Sequence, residues 1–226
     1  MLFVLICTEG EVSEPAYINA LKAAIIAQAP QNAGQVEVEA LDLQGNQGHT
    51  ALISRANEKV ADYTDIEDSY IGEGDTVEKW IICDYDKMHE RGVSIEDLRQ
   101  DARDAGFELI INRPNFELFI LLHFMSIDEA VGIRPSQYET IINQKTDELN
   151  SRNLVEKVGF TSAMNAPTYS KNRYHARTYF GQLMSRNPEL IDLVASIECD
   201  TAWNAYSEMP KIVVRIKEIF ESVESE

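Results

Sequence analysis

Apolar and polar residues alternate in blocks along the first 125 residues, and the period of each block predicts its secondary structure. Short apolar or alternating runs predict four strands, at residues 2–7, 35–41, 77–86 and 107–113. Helical spacing follows each run, at residues 13–29, 50–63, 94–105 and 115–124. This strand-helix alternation predicts an α/β domain, residues 1–125, with a largely parallel sheet flanked by helices.

Strand-type patterns stop after Met125. The clearest helical patterns of the second half lie at residues 135–149, 172–186 and 209–226. They predict a helical C-terminal region, residues 126–226, that packs on the α/β domain.

Capping residues predict several helix ends. Ser13 is suited to the N-cap of the first helix. Ser94 and Asp97 have the spacing of a capping box, and Gly106 is a typical stop signal. Asn115 is predicted to cap the fourth helix, which is apolar on all sides and is therefore expected to be buried.

The chain carries 38 acidic and 20 basic residues, a net charge of −18, so its surface as a whole repels nucleic acid. A nucleic-acid function would require a local basic patch, bound metal ions or a basic partner. Residues 145–186 reverse the balance with seven bases and three acids, and Lys171, Arg173 and Arg177 lie there in a stretch without acids. These three side chains are candidates to bind a nucleic-acid backbone; the alternative is a solvated helix face.

No apolar run approaches the roughly 20 residues of a membrane-spanning helix, and the N-terminus lacks the basic segment typical of a signal peptide. We therefore expect a cytoplasmic protein without membrane association. The three cysteines, Cys7, Cys83 and Cys199, lack zinc-type spacing and are interpreted as reduced, buried hydrophobic residues.

Carboxylates follow two of the predicted strands. Glu9 and Glu11 come after the first strand, and Asp84 and Asp86 end the third. The carboxyl ends of parallel strands share one edge of a sheet, and residues two apart in a strand point to the same face. Oxygen ligands in such a group suit Mg²⁺, Mn²⁺ or Ca²⁺. The alternative for each pair is an ordinary turn, with the acids capping the helix that follows.

Three blocks of sequence resemble the RloB-like family, Toprim-related proteins linked to restriction and abortive-infection loci. They are CTEGEVSEPAYINAL from residue 7, WIICDYDKMH from residue 80 and NRPNFELFILLHF from residue 112. The resemblance covers about residues 3–124, and PTYSKN near residue 167 resembles a further Y-x-K segment of the family. It implies a Toprim-like, Rossmann-like fold.

The resemblance also implies a catalytic centre. Glu9 matches the glutamate that serves as general acid/base or metal ligand, and Asp84 and Asp86 match metal-binding aspartates. Glu11 lies in the same block and is expected to support the site or bind a second metal ion. The implied cofactor is Mg²⁺ or Mn²⁺.

Other matching positions are expected to support this centre. Glu117 and His123 should line or brace it, and Lys171 should contact phosphate. A core histidine is the alternative for His123. Arg113 departs from the serine-asparagine pair common before the proline, and it places a cation near the expected site.

The function implied by the resemblance is a metal-dependent nuclease that hydrolyses phosphodiesters of RNA, such as tRNA, or of DNA. It would act as an anti-phage defence effector in abortive infection, with an ABC-type ATPase as a partner protein. The alternative is a non-catalytic binding or regulatory subunit of an ATPase-containing defence complex.

Overall fold

The computed structural model describes residues 1–32, 34–43, 49–64, 71–72, 74–85, 92–156, 168–198 and 205–222. In this part of the chain the strands are β1 (Leu2–Thr8), β2 (Val36–Asp42), β3 (Thr76–Asp84), β4 (Glu108–Arg113) and β5 (Tyr206–Ser207). They form a five-stranded sheet in the order β2-β1-β3-β4-β5, and only the last pairing, β4 with β5, is antiparallel.

Helices connect the parallel strands and extend beyond them. Their bounds are α1 (Ser13–Gln28), α2 (His49–Thr64), α3 (Ile95–Asp104), α4 (Phe116–Leu121), α5 (Ile127–Val131), α6 (Tyr138–Glu156), α7 (Arg173–Arg186), α8 (Glu189–Ala195) and α9 (Met209–Ser222). Short 3-10 turns lie at Pro30–Asn32 and Pro135–Gln137. The α/β expectation, with a largely parallel sheet flanked by helices and further helices toward the C-terminus, is confirmed.

Successive residues of each buried strand face opposite sides of the sheet, and each side has its own apolar layer. Ile6 and Ile82 pack with α1, α4, α7 and α9 on one side. Cys7, Ile81 and Cys83 pack with α2 and α3 on the other. Cys7 and Cys83 are buried free thiols, as predicted, whereas Cys199 lies outside the described residues.

In the described residues of the second half, the regular secondary structure is helical except for β5, a strand that the sequence patterns missed. Its two residues pair with Asn112 and Arg113 of β4. Apolar residues of α7, α8 and α9 belong to the same hydrophobic cluster as those of β1 and α1. The division at residue 125 therefore stays a prediction, because the two halves share one core.

Two predicted caps differ in the structure. Val12, not Ser13, is the N-cap of α1, and Ser13 is the first helical residue. Asn115 is the N-cap of α4, but its side chain makes no capping hydrogen bond. Ser94 caps α3 as predicted by accepting from the Asp97 backbone N–H at 3.3 Å. Gly106 has a φ of +77°, which glycine adopts without strain.

Within the described residues, no helix combines the length and apolar composition needed to cross a membrane.

Candidate functional site

The structure brings Glu9 and Asp84 together at the carboxyl edge of the sheet. Glu9 follows β1 directly, and its backbone N–H donates to the Ile82 carbonyl at 3.0 Å. The backbone N–H of Asp84, at the end of β3, donates to Oε2 of Glu9 at 3.1 Å. The chain crosses from β1 to β2 in one direction and then to β3 in the other, so these acids lie at a topological switch point.

The position of Asp86 is not part of this geometry. Strand β3 ends at Asp84, and Asp86 lies outside the described residues. The prediction that Asp84 and Asp86 project side by side from one strand therefore stays a prediction.

A third acid, Glu14, lies beside Glu9, although no sequence pattern points to it. Glu14 is 6% exposed although it occupies the first turn of α1. A methyl group on Gly10 would overlap the Glu14 carboxylate, so the glycine leaves the space into which that side chain folds. Burial, together with the nearby charges of Glu117 and Glu9, raises the pKa of Glu14 to about 7.

Glu117 supplies a fourth acid from the first turn of α4 and is 5% exposed. The Tyr169 hydroxyl donates to its Oε1 at 2.9 Å, and the Lys171 ammonium lies 2.8 Å from the same atom. Because the single phenolic proton of Tyr169 is used in this way, the Ser13 hydroxyl donates to the Tyr169 oxygen, at 2.9 Å. Glu117 and Lys171, each predicted separately as a site residue, are thus in direct contact.

Glu9, Glu14, Asp84 and Glu117 are called the acid cluster below. Lys171 is the ammonium that the structure places against it. Burial lowers the pKa of Lys171, but Glu117, Asp84 and Glu14 outweigh that effect and raise it above its usual value. The cluster therefore holds a cation from the chain itself.

His123 packs in the core behind the site and does not line it. Its Nδ1–H donates to the Phe119 and Ile120 carbonyls, both at 3.2 Å, so Nε2 accepts from the Tyr17 hydroxyl at 3.1 Å. Burial lowers the pKa of His123 to about 4. The histidine is neutral at pH 7 and braces α1, which carries Glu14, against the end of α4.

Arg113 lies at the end of β4, with its guanidinium 4.7 Å from the ring centre of Tyr85. Tyr85 directly follows Asp84, and its backbone N–H donates to the Asn112 carbonyl at 2.8 Å. This cation–π contact places a positive charge beside the residue that follows Asp84.

Glu11, Arg173 and Arg177 lie together in a different place from the acid cluster. They line a pocket of about 230 Å³ between the start of α1 and α7, here called the α1–α7 pocket. Asp42, at the end of β2, also lines it and forms an ion pair with Arg173 at 3.6 Å. The two arginines do lie at the carboxyl edge of the sheet, but the residues they share a pocket with are Glu11 and Asp42.

The donor chemistry of the acid cluster fits Mg²⁺ or Mn²⁺, which bind carboxylate oxygens. Buried carboxylates that lie close together are also stabilised by a divalent cation. Within the described ranges, however, no group of three or more Asp, Glu, His or Cys side chains is arranged to hold a metal ion. Glu9 and Asp84 are the adjacent pair, and the third expected ligand, Asp86, falls outside those ranges.

Comparison with known proteins identifies the family. Neither the curated proteins nor the solved structures contain a significant match. A family model described as RloB-like protein matches residues 4–216 and therefore extends through the helical second half, well past residue 124. This match spans most of the 226 residues, from β1 into α9, and the chain belongs to the RloB-like protein family.

Proposed function

We propose that this protein is a metal-dependent nuclease that hydrolyses phosphodiester bonds of RNA or DNA with Mg²⁺ or Mn²⁺. One observation carries the proposal: Glu9 and Asp84, from separate sequence blocks, meet at the switch point of the sheet. Open parallel sheets place their ligand sites at this position.

Glu9 and Asp84, with Asp86, would hold the metal ion. When bound, such an ion polarises a phosphate oxygen and stabilises the charge that develops during hydrolysis. Glu9 alternatively moves a proton at the attacking or leaving oxygen. Glu117 and Glu14 add two further acids to the site. Tyr169 holds Glu117 in place by donating to it, and Ser13 in turn donates to the Tyr169 oxygen.

The segment 171–177 supplies the positive charge that a protein of net charge −18 needs to approach a phosphate backbone. The side chains of Lys171, Arg173 and Arg177 are exposed. Lys171 contacts Glu117 of the acid cluster and Arg173 contacts Asp42 at the next strand end, so the segment spans the carboxyl edge of the sheet. This arrangement favours a substrate that lies across the strand ends.

One observation favours the alternative, a non-catalytic binding or regulatory subunit. Lys171 already partly neutralises Glu117. A lysine in this place can serve as a structural counter-ion, and the acid cluster would then stabilise the fold without binding a metal ion. In that case the helical second half would dock a partner protein.

Cleavage assays separate these two functions. The purified protein is incubated with single-stranded and structured RNA and DNA, tRNA included, in Mg²⁺, Mn²⁺ or EDTA. A nuclease cuts only with metal, and Glu9→Gln and Asp84→Asn abolish cutting. Asp192→Asn is the matched control, because Asp192 is an exposed acid on α8 paired with Lys217. Metal-independent cutting, or full activity in Asp84→Asn, would refute the proposed mechanism.

The substrate path has its own test. Replacing Lys171, Arg173 and Arg177 with alanine should weaken nucleic-acid binding, and each lost phosphate contact should reduce the log–log salt slope by roughly 0.7–0.9. Unchanged binding would assign the segment to the solvated surface.

The resemblance also brings a defence role and an ATPase partner into the proposal. Cells that carry the gene with its neighbouring genes are challenged with phage, and Asp84→Asn is compared with the parent. Protection that survives in Asp84→Asn would favour the regulatory alternative. Co-purification of an ABC-type ATPase with the tagged protein tests the partner.

A further inference from the structure

The α1–α7 pocket is small. Its volume, about 230 Å³, lies below the ~300–1,000 Å³ of pockets that hold drug-sized molecules. Two helices form it, and α1 packs along α7.

One wall of the pocket is apolar. Val12, Pro15 and Ala16 contribute to it, and with Asn19 they recur at the three- and four-residue spacing that puts side chains on one face of a helix. These apolar side chains can pack against the face of a planar ring, whereas a phosphate group alone would make no favourable contact with them.

The remaining side chains provide hydrogen-bond groups of both kinds. Glu11 is an acceptor, Arg177 is a donor and the Asn19 amide is both; all three are exposed. Arg177 forms no ion pair with any described residue, whereas Arg173 is paired with Asp42. Two carboxylates against two guanidiniums leave the pocket formally neutral, and this balance disfavours a free anion.

We propose that the α1–α7 pocket binds a guanine base of a single-stranded nucleic acid. Guanine presents adjacent donors, N1–H and the N2 amino group, on one edge and adjacent acceptors, O6 and N7, on another. The Glu11 carboxylate matches the donor edge, and the Arg177 guanidinium matches O6 and N7, the commonest specific arginine contact with a base. Splayed bases of single strands are bound in this way, between an apolar or planar surface and polar groups.

The inference rests on the proposed nuclease function, and the location of the pocket supports it. Thr8 at the end of β1 is in register with Asp42 on one side and with Ile82 on the other. Lys171 and Arg173, two residues apart, reach the acid cluster and the pocket respectively. A strand whose guanine occupies the pocket therefore has its neighbouring phosphates beside the acid cluster, and the enzyme would prefer guanine next to the cut.

The test measures binding of 5′-GMP, AMP, CMP, UMP and ribose 5-phosphate by calorimetry in EDTA, so that it depends on neither metal nor cleavage. We expect GMP to bind at least fivefold more tightly than AMP, CMP, UMP or ribose 5-phosphate, the lower end of discrimination by one bidentate base contact. Equal binding of all five compounds, or binding of none, would overturn the inference.

Substitutions in the pocket test whether the preference for GMP arises there. Glu11→Ala and Arg177→Ala should each remove the preference for GMP, and because both residues are exposed the variants should fold normally. Arg186→Ala, at the far end of the same helix, is the matched control. GMP preference that survives in both pocket variants would place the base elsewhere and refute the assignment.

The two proposals fail in different ways. Asp84→Asn should keep GMP binding while losing cleavage. If the parent binds GMP selectively but cuts no nucleic acid, the nuclease function is wrong and the pocket assignment stands. If it cuts with metal but shows no preference among the nucleotides, the pocket assignment alone is wrong.

Discussion

Two buried carboxylate sites in this protein are built in opposite ways. Glu208, 1% exposed beside β5, is fully satisfied: it accepts from Arg99 at 2.6 Å, from Lys211 at 2.6 Å and from the Ile111 backbone N–H at 3.1 Å. The acid cluster has several acids and, among the described residues, one ammonium, that of Lys171.

The difference separates a structural clamp from a candidate site. Glu208 joins α3, β4 and α9 with two cations for one acid, so its charge is compensated by its surroundings. In the acid cluster the surroundings raise the pKa of Glu14 to about 7, because burial and neighbouring acids disfavour its charge. Perturbed groups of this kind concentrate at functional sites, where a ligand completes the electrostatic balance.

The largest expected effect is the loss of the clamp. Glu208→Ala leaves the Ile111 N–H without its side-chain acceptor and two cations without their shared acid. We expect the free energy of unfolding to fall by about 3–5 kcal/mol, as for other broken buried pairs. Urea denaturation measures it. A loss below about 1 kcal/mol would remove the contrast between the two sites.

The second largest effect is a gain in stability, expected when the carboxylate of Glu14 is replaced. Glu14 has a folded pKa of about 7 against an ordinary value of 4.5, so between these pH values the folded state retains a proton that the unfolded chain has released. Stability contributed by this group is therefore lost as pH rises from 4.5 to 7. At pH 8 in EDTA, Glu14→Gln should be more stable than the parent by up to about 3 kcal/mol, and at pH 4 equally stable.

Comparison of parent and variant at each pH isolates Glu14. His123, whose pKa burial lowers to about 4, makes both proteins less stable as pH falls from 6.5 to 4, and this contribution cancels in the difference. A Glu14→Gln variant that is less stable than the parent at pH 8 would show that the charged carboxylate is well accommodated.

Metal addition should distinguish the two sites directly. A cation that binds only the folded state stabilises it, by about 2.7 kcal/mol at a hundred times its Kd. Melting temperatures should rise with millimolar Mg²⁺ or Mn²⁺ in the parent and in Glu208→Ala, and stay constant in Asp84→Asn. A response that persists in Asp84→Asn would move the metal site away from the end of β3.

The smallest effect concerns Lys171. Its side chain is 63% exposed, so its ion pair with Glu117 is screened and Lys171→Ala should change metal-free stability by less than about 1 kcal/mol. The melting-point rise with Mg²⁺ should nevertheless grow, because the Lys171 ammonium no longer competes with the metal ion for Glu117. Lys145→Ala, which breaks an exposed pair with Glu148, is the control. An unchanged metal response would mean that Lys171 does not compete with the ion.

Sequence periodicity predicted the fold because each interior strand, β1, β3 and β4, contains a continuous apolar run. The proximity of Glu9 and Asp84 followed from the same reasoning, since parallel strands end at one edge. Strand β5 was missed because two residues show no period, and its pairing partner lies 95 positions away in sequence.

Glu14 was missed for a different reason. An acid in the first turn of a helix is normally solvated beside the helix dipole, and nothing local shows that this one is covered. Its only sequence signal is Gly10, four residues earlier, whose missing side chain makes room for it. The contact of Glu117 with Tyr169 joins residues 52 positions apart, and no local pattern encodes such a distance. Ser13 was predicted to cap α1, but its hydroxyl instead donates to the Tyr169 oxygen.

The hydrogen bonds of Tyr169 limit which fragments of the protein can contain a complete site. A fragment ending at residue 125 would contain each acid of the cluster but neither Tyr169 nor Lys171, and Glu117 and Ser13 would lose their partners. Truncation within the helical half would therefore remove part of the site together with β5 and helices that share a core with the sheet. Split versions should regain the site only when both fragments reassemble, so fragment complementation, not domain excision, is the way to study this protein in parts.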